Sequence, residues 1–235
     1  MRAWQTVDRA DTPEGPLELR RRGDAEDLQA PEAAEYVITI GGRVLMNGSR
    51  HKTEDAVAEA ACRPLAGQLR LRGPRVLIGG LGMGFTLRAA LDLLPRSARV
   101  LVAEIDPVIV RWCRGPLAPL TRNAIDDRRV TVEVADVAVV LARAARTPAE
   151  RFDAVVLDLY EGPREAHGGK DHPLWGERAL GTTRDALLPG GTLAVWSEDA
   201  DAAFEKRLAV AGFRVERRRP GKGGPRHAVY VARRK

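Results

Sequence analysis

The pattern from Arg75 onward constrains the fold most. Short, almost continuous apolar runs alternate with amphipathic stretches: RVLIGG then FTLRAALDLL, RVLVAEI then PVIVRWCRGPLAPL with a break at its Gly-Pro, and RVTVEVA then VAVVLARAA. FDAVVLDL follows, then a polar loop and a helix to about Leu188, and finally GTLAVWS with AAFEKRLAVAG. Strands that are apolar on both faces, each followed by a helix, imply a parallel sheet covered on both sides. The chain closes with FRVERRR and HAVYVARR around a Gly/Pro-rich turn. That connection is too short for a helical crossover, so the last two strands pair antiparallel if they are neighbours. The expected class is α/β: a three-layer, Rossmann-like fold with a mostly parallel seven-stranded sheet that ends in an antiparallel hairpin.

Ahead of this domain, Glu35 to Met46 reads as two short β-runs around Gly41-Gly42, a hairpin. Residues 1 to about 30 read as polar and irregular, apart from a strand candidate at LELRRR. Thr53 is placed to cap a helix through about Leu65, with Glu54 and Asp55 in its first turn. The expected division is a β-hairpin and helix extension over 1–68 and a catalytic domain over 69–235.

Hydrophobic residues make up 44% of the chain, enough for a full core. No apolar run reaches the length of a membrane span, and the first residues lack the apolar stretch of a secretory signal, so a cytoplasmic location is expected. Cys62 and Cys113 lack metal-ligand spacing and read as small buried hydrophobes; no metal is expected. The net charge is +6, concentrated at Arg20 to Arg22, Arg217 to Arg219 and the ARRK tail. No zinc-finger, helix-turn-helix or RNP pattern accompanies these clusters, which favours a solvated basic surface over a nucleic-acid partner.

The chemistry-bearing signals lie at the carboxyl ends of successive strands. Val76 to Gly84 follows a buried strand and opens a helix, with Gly80, Gly82 and Gly84 as G-x-G-x-G around Leu81 and Met83. Glycines there let the backbone turn tightly and approach a ligand. No G-K-[ST] follows, which excludes a Walker phosphate cradle. Glu104 comes about 20 residues later, where a carboxylate can accept from both ribose hydroxyls. Asp136 ends the third strand and can take an adenine amino group, cap the helix that follows, or do both. Ile105 and Val137, the next residues along, complete the expected nucleoside contacts. Asp158 ends the fourth strand. Open α/β sheets bind ligands at this edge.

Together these residues resemble the spermidine synthase-like branch of the S-adenosylmethionine-dependent methyltransferase fold, over roughly Tyr36 to Arg214. That family's G-G-G-D-G-G-T-L-R segment is similar to Gly80-Leu-Gly-Met-Gly-Phe-Thr-Leu-Arg88, and its D-x-x-D-P-x-G-P loop to Asp158-Leu-Tyr-Glu-Gly-Pro163. The resemblance implies Asp158 as the base that takes the proton from an attacking amine and Glu161 as the acid that holds a cationic amine. It also implies His51, Tyr160 and Trp175 on the acceptor side, and a loop from Glu161 to Pro173 able to close over the site, with His167 and His172 in it.

Two departures bear on the donor and acceptor. Met83 stands where the family's glycine loop carries the aspartate that holds the amino end of a decarboxylated donor. The family's S-x-x-D-E-x-x-Y is matched loosely by His51-Lys-Thr-Glu-Asp, with small residues from Ala56 to Ala61 in place of the tyrosine. Two enzymatic readings follow: aminopropyl transfer to a polyamine from decarboxylated S-adenosylmethionine, or methyl transfer from intact S-adenosylmethionine. The first takes a small amine acceptor, the second a small amine or another acceptor, and a homodimer is left open. The contrasting reading is a non-catalytic nucleoside-binding protein, which the retained acids Asp158 and Glu161 disfavour.

Overall fold

The computed structural model describes residues 3–23, 34–48, 52–67, 73–160, 162–163, 169–220 and 227–235. The apolar runs form a seven-stranded sheet. Its strands are β5 (Arg75–Gly79), β6 (Arg99–Glu104), β7 (Val130–Val134), β8 (Phe152–Leu157), β9 (Leu187–Ser197), β10 (Phe213–Arg218) and β11 (Ala228–Arg234), and its spatial order is β10-β11-β9-β8-β5-β6-β7. β5 to β9 pair in parallel, while β11 is antiparallel to both β9 and β10. Two antiparallel steps restore direction, so β10 runs with the parallel strands and β11 alone opposes them. β8 is buried along its whole length, as its unbroken apolar run requires.

Helices cover both faces. On one lie α1 (Lys52–Cys62), α2 (Phe85–Leu93) and α3 (Pro107–Arg114), sharing a core with Val76, Ile78, Val100, Val102, Ala154 and Val156. On the other, α4 (Val137–Arg146), α5 (Glu177–Ala186) and α6 (Ala202–Val210) pack on Leu77, Val155, Leu157, Leu193 and Val195. Alternate residues of one strand thus serve two cores. Asp106 caps α3, accepting from the Val108 N–H at 2.7 Å with Pro107 next in line. The chain ending at Gly115-Pro116 tightens into a short 3-10 turn at Ala118–Thr121, the expected interruption. The Arg129 guanidinium donates to the Leu91 and Leu94 carbonyls at 2.9 Å, which satisfies the end of α2.

The N-terminal part differs from the expected single hairpin. It is a four-stranded antiparallel meander of β1 (Gln5–Thr12), β2 (Gly15–Arg22), β3 (Glu35–Ile40) and β4 (Arg43–Asn47). β1 falls in the stretch read as irregular. Its side chains are largely exposed and carry no apolar alternation, and the main-chain ladder to β2 makes it a strand. Asp8 fastens it to α3 on the seven-stranded sheet, accepting from Arg111 Nη2 and Trp112 Nε1 at 2.7 Å each; these bonds hold its carboxyl down to about 2. Leu17, Leu19, Tyr36 and Ile38 join the same core as α1 to α3. The expected boundary at residue 68 falls after α1, which packs against α2 and over β8, β9 and β11 rather than with the meander alone. Thr53 lies inside the first turn of α1 and donates to Glu54 Oε2 at 2.6 Å. Among the described residues, no helix is long and apolar enough to cross a membrane.

Candidate functional site

The chain builds β5, β6 and β7 outward, then crosses back to place β8 on the other side of β5. The crevice between diverging connections at that switch point is where open α/β sheets hold ligands. The carboxyl ends of β5, β6 and β8 deliver Gly80, Glu104 and Asp158 to it.

The glycine loop is shaped by close approach. Gly80 has φ 87°, and a Cβ there would lie 2.4 Å from the Asp158 carbonyl oxygen. Only glycine therefore lets β5 pass the end of β8. Gly82 faces the meander: a Cβ would sit 2.8 Å from Met46 Sδ. Met46 Sδ also accepts from the Met83 N–H at 3.2 Å. Gly84, with φ 85°, turns the chain into α2. The Met83 side chain is fully buried in the first core, where a Cβ on Gly48 would meet its sulfur at 3.3 Å. The resemblance implies residue 83 at the donor's tail; the Met83 side chain lies in the packing between loop and meander. An apolar side chain next to an apolar sheet gains more there than beside a charged tail.

On the donor side, Glu104 is 7% exposed and uses both oxygens on backbone. Oε2 accepts from Leu81 N–H and Oε1 from Asp106 N–H, at 2.8 and 2.9 Å. Burial raises its pKa, and these backbone donors oppose the rise. The carboxylate thus shapes the glycine loop, and each oxygen retains a lone pair for a ribose hydroxyl. Ile105 beside it is 70% exposed, an apolar ledge against which a nucleobase can stack. Asp136 is exposed and caps α4, accepting from the Ala138 N–H at 2.8 Å, while Val137 is buried. This edge fits an adenosine: an acid for the ribose, an open apolar ledge and a solvent-facing acceptor.

On the acceptor side, Asp158 is half-buried at the end of β8 and accepts from the Thr86 hydroxyl on α2. Burial pushes its carboxyl up to about 7; the Thr86 hydroxyl opposes the shift and the Glu54 carboxylate adds to it. Thr86 and Glu54 lie within stretches that match the family's motifs, but the sequence assigns Glu54 only a first-turn place in its helix and Thr86 no role. Only packing of α1 and α2 over the sheet brings them to Asp158. Tyr160 is 46% exposed, with the Arg43 guanidinium of β4 5.8 Å from its ring centroid, so the meander reaches the loop after β8.

Trp175 is not brought to this site. It is 2% exposed, edge-on to Phe204 in the core under α5 and α6, and its carbonyl accepts from Arg207 Nε. Its ring fills a core, and its neighbour His172 accepts from the Leu174 and Trp175 N–H groups at 3.1 Å, a local turn rather than an acceptor contact. His51, Glu161 and His167 lie outside the described residues. Cys62 and Cys113 are free and buried, and burial pushes both thiols up to about 12. Among the described residues, no group of acids, histidines and cysteines is arranged to hold a metal ion.

No protein-family profile matches the chain. Over 120 residues it is 30% identical to the polyamine aminopropyltransferases of Mycobacterium tuberculosis (strain ATCC 25618 / H37Rv) and Mycobacterium bovis. The matched stretch covers 51% of this chain and 22% of those relatives, so the chain spans about a fifth of the length of the curated relatives it matches. Among solved structures, the spermidine synthase of Thermotoga maritima superposes with a TM-score of 0.69 at 18% identity, covering 98% of this chain and 73% of that one. A spermidine synthase in complex with the transition state analogue AdoDATO gives 0.67 at 18% identity, covering 98% and 72%. Human methyltransferase-like protein 13 in complex with SAH gives 0.59 at 19%, covering 79% and 82%. The chain has a spermidine synthase-like form of the methyltransferase fold.

Proposed function

We propose that the chain is a transferase that binds a nucleoside sulfonium donor of the S-adenosylmethionine type and passes an aminopropyl group to a small amine. The observation that carries this reading is Asp158: a half-buried acid, raised to about 7, at the carboxyl end of β8 beside the glycine loop. A protonated amine is not a nucleophile, and a base with a pKa near the working pH is best suited to take its proton. As the nitrogen attacks, an N–C bond forms and the C–S bond breaks. The electron pair returns to sulfur, giving a neutral thioether nucleoside, and the proton passes to Asp158. The leaving group is already activated, so the chain's remaining task is alignment, for which Gly80, Glu104 and the Ile105 ledge position the nucleoside. Support comes from the relatives named polyamine aminopropyltransferase and from the fold shared with spermidine synthases. A cytoplasmic setting belongs to the same reading, since both thiols are free and buried.

Met83 favours a second reading. Its buried thioether presents no carboxylate to a decarboxylated donor, and methyl transfer from intact S-adenosylmethionine needs none. Incubation with 1,4-diaminobutane and each donor separately, followed by mass spectrometry, distinguishes the two. Aminopropylated amine with methylthioadenosine is the expected product. Methylated amine with S-adenosylhomocysteine would establish the second reading. Failure to bind either donor or its nucleoside product would overturn both.

A further inference from the structure

Trp196 follows Val195 on β9, whose parallel partner is Leu157, so Trp196 and Asp158 stand at the same level on the ends of adjacent strands. Both face α1 and α2: Asp158 is held by Thr86 of α2, and Trp196 packs on the core those helices share. α1 presents small side chains on this face, with Val57, Ala58 and Ala61 all buried, and the half-buried indole packs against the same core. Glu54, 8% exposed in the first turn of α1, acts on the Asp158 carboxyl from across that corner. Glu54 receives a hydrogen bond from Thr53 and Asp158 from Thr86, and neither acid has a cationic partner among the described residues. The Trp196 Nε1–H is buried without a hydrogen-bond partner among the described residues, and the ring meets His227 edge-on, centroids 5.3 Å apart at 69°.

Two acids in a half-buried corner call for a cation, because a carboxylate away from water is costly unless paired. An indole is the aromatic face that attracts an ammonium most strongly. We propose that Trp196, with Glu54, is the specificity-determining wall of the acceptor site, binding a compact alkylammonium against the indole while Asp158 faces the reacting nitrogen. This rests on the reading of the site as an amine-alkylating centre. It assigns acceptor recognition to an aromatic on β9, Trp196, rather than to Trp175, whose ring is buried in the opposite core.

The test is a titration of the full chain, saturated with methylthioadenosine, by 1,4-diaminobutane and by its neutral isostere 1,4-butanediol. Tryptophan emission and calorimetry are read together. The diamine should change the emission of the wild type and the diol should not. Trp196→Phe should abolish the emission change while keeping diamine affinity within about threefold, and Trp196→Leu should weaken it roughly 3- to 30-fold. A leucine variant that binds methylthioadenosine and the diamine as the wild type does would overturn the assignment, as would a diol that produces the same emission change. If the leucine variant does not fold, the contrast between wild type and Trp196→Phe decides in the same way. A wild type that does not bind methylthioadenosine would instead sink the proposed function, a distinct outcome.

Discussion

Glu104 and Asp158 end strands that flank β5 on opposite sides, and burial raises both carboxyls. Their surroundings then part. Glu104 receives two backbone N–H groups, from Leu81 and Asp106, and so is built into the glycine loop. Asp158 receives one hydroxyl, from Thr86, and faces a second acid. An acid satisfied by fixed backbone donors is a scaffold with spare lone pairs, suited to binding. An acid satisfied by one rotatable hydroxyl and pressed by a like charge is ready to accept a proton. The proposed donor half of the site is thus held by main chain, and the proposed acceptor half by side chains from three separate elements.

The sharpest way to break this contrast is Asp158→Asn. The amide keeps the shape but accepts no proton, so turnover should fall on the order of 10²–10⁴-fold while methylthioadenosine affinity stays near wild type. In the wild type, kcat/KM should rise with pH through about 7, where the Asp158 carboxyl loses its proton. A variant with normal turnover would make Asp158 a scaffold like Glu104.

Next in size is Met83→Asp, which tests where the glycine loop ends and the meander begins. With the side chain fully buried against Gly48, a carboxylate there has no partner. Urea denaturation should show a loss of roughly 3–5 kcal/mol, the scale of an uncompensated buried charge. An equally stable variant that gains a preference for the decarboxylated donor would instead return residue 83 to the donor's tail.

Glu104→Ala should weaken methylthioadenosine binding by about 1.5–3 kcal/mol, the scale of charge-assisted hydrogen bonds. Calorimetry reads this directly, and unchanged affinity would confine Glu104 to shaping the loop.

The smallest effect separates the two acids by stability rather than activity. Because the folded chain holds the Asp158 proton up to about 7 against an ordinary 3.8, the folded state binds more protons than the unfolded between those values. Stability from this group is therefore fully present below about 3.8, falls as pH rises, and levels off above about 7. Asp158→Asn should be more stable than wild type at pH 8 by on the order of 1–3 kcal/mol, discounted for the partly open carboxyl, with the gap closing in acid. Equal stability at both ends would mean that solvent reaches Asp158 freely.

What the sequence by itself determined is what local pattern can encode. The unbroken apolar run of β8 and the glycines from Gly80 to Gly84 specify a buried parallel strand and a tight strand-to-helix turn, because burial on both faces and positive φ each leave a mark within a few residues. Strand ends then follow, and with them the edge that carries Glu104, Asp136 and Asp158. Facing and pairing were decided by the tertiary structure. β1 is a strand because β2 offers it a ladder, with no apolar alternation of its own to announce it. Trp175 and Trp196 are equally aromatic in the sequence, yet one closes the core under α5 and α6 and the other stands level with Asp158, because they pack on opposite sides of one sheet. Met83 lies in the motif where a donor contact is expected, and its side chain turns into the packing because the end of β4 lies against the loop. Glu54 reaches Asp158 from about a hundred positions earlier in the chain only once α1 closes over the sheet, a contact set by packing rather than by any periodicity that a linear pattern holds.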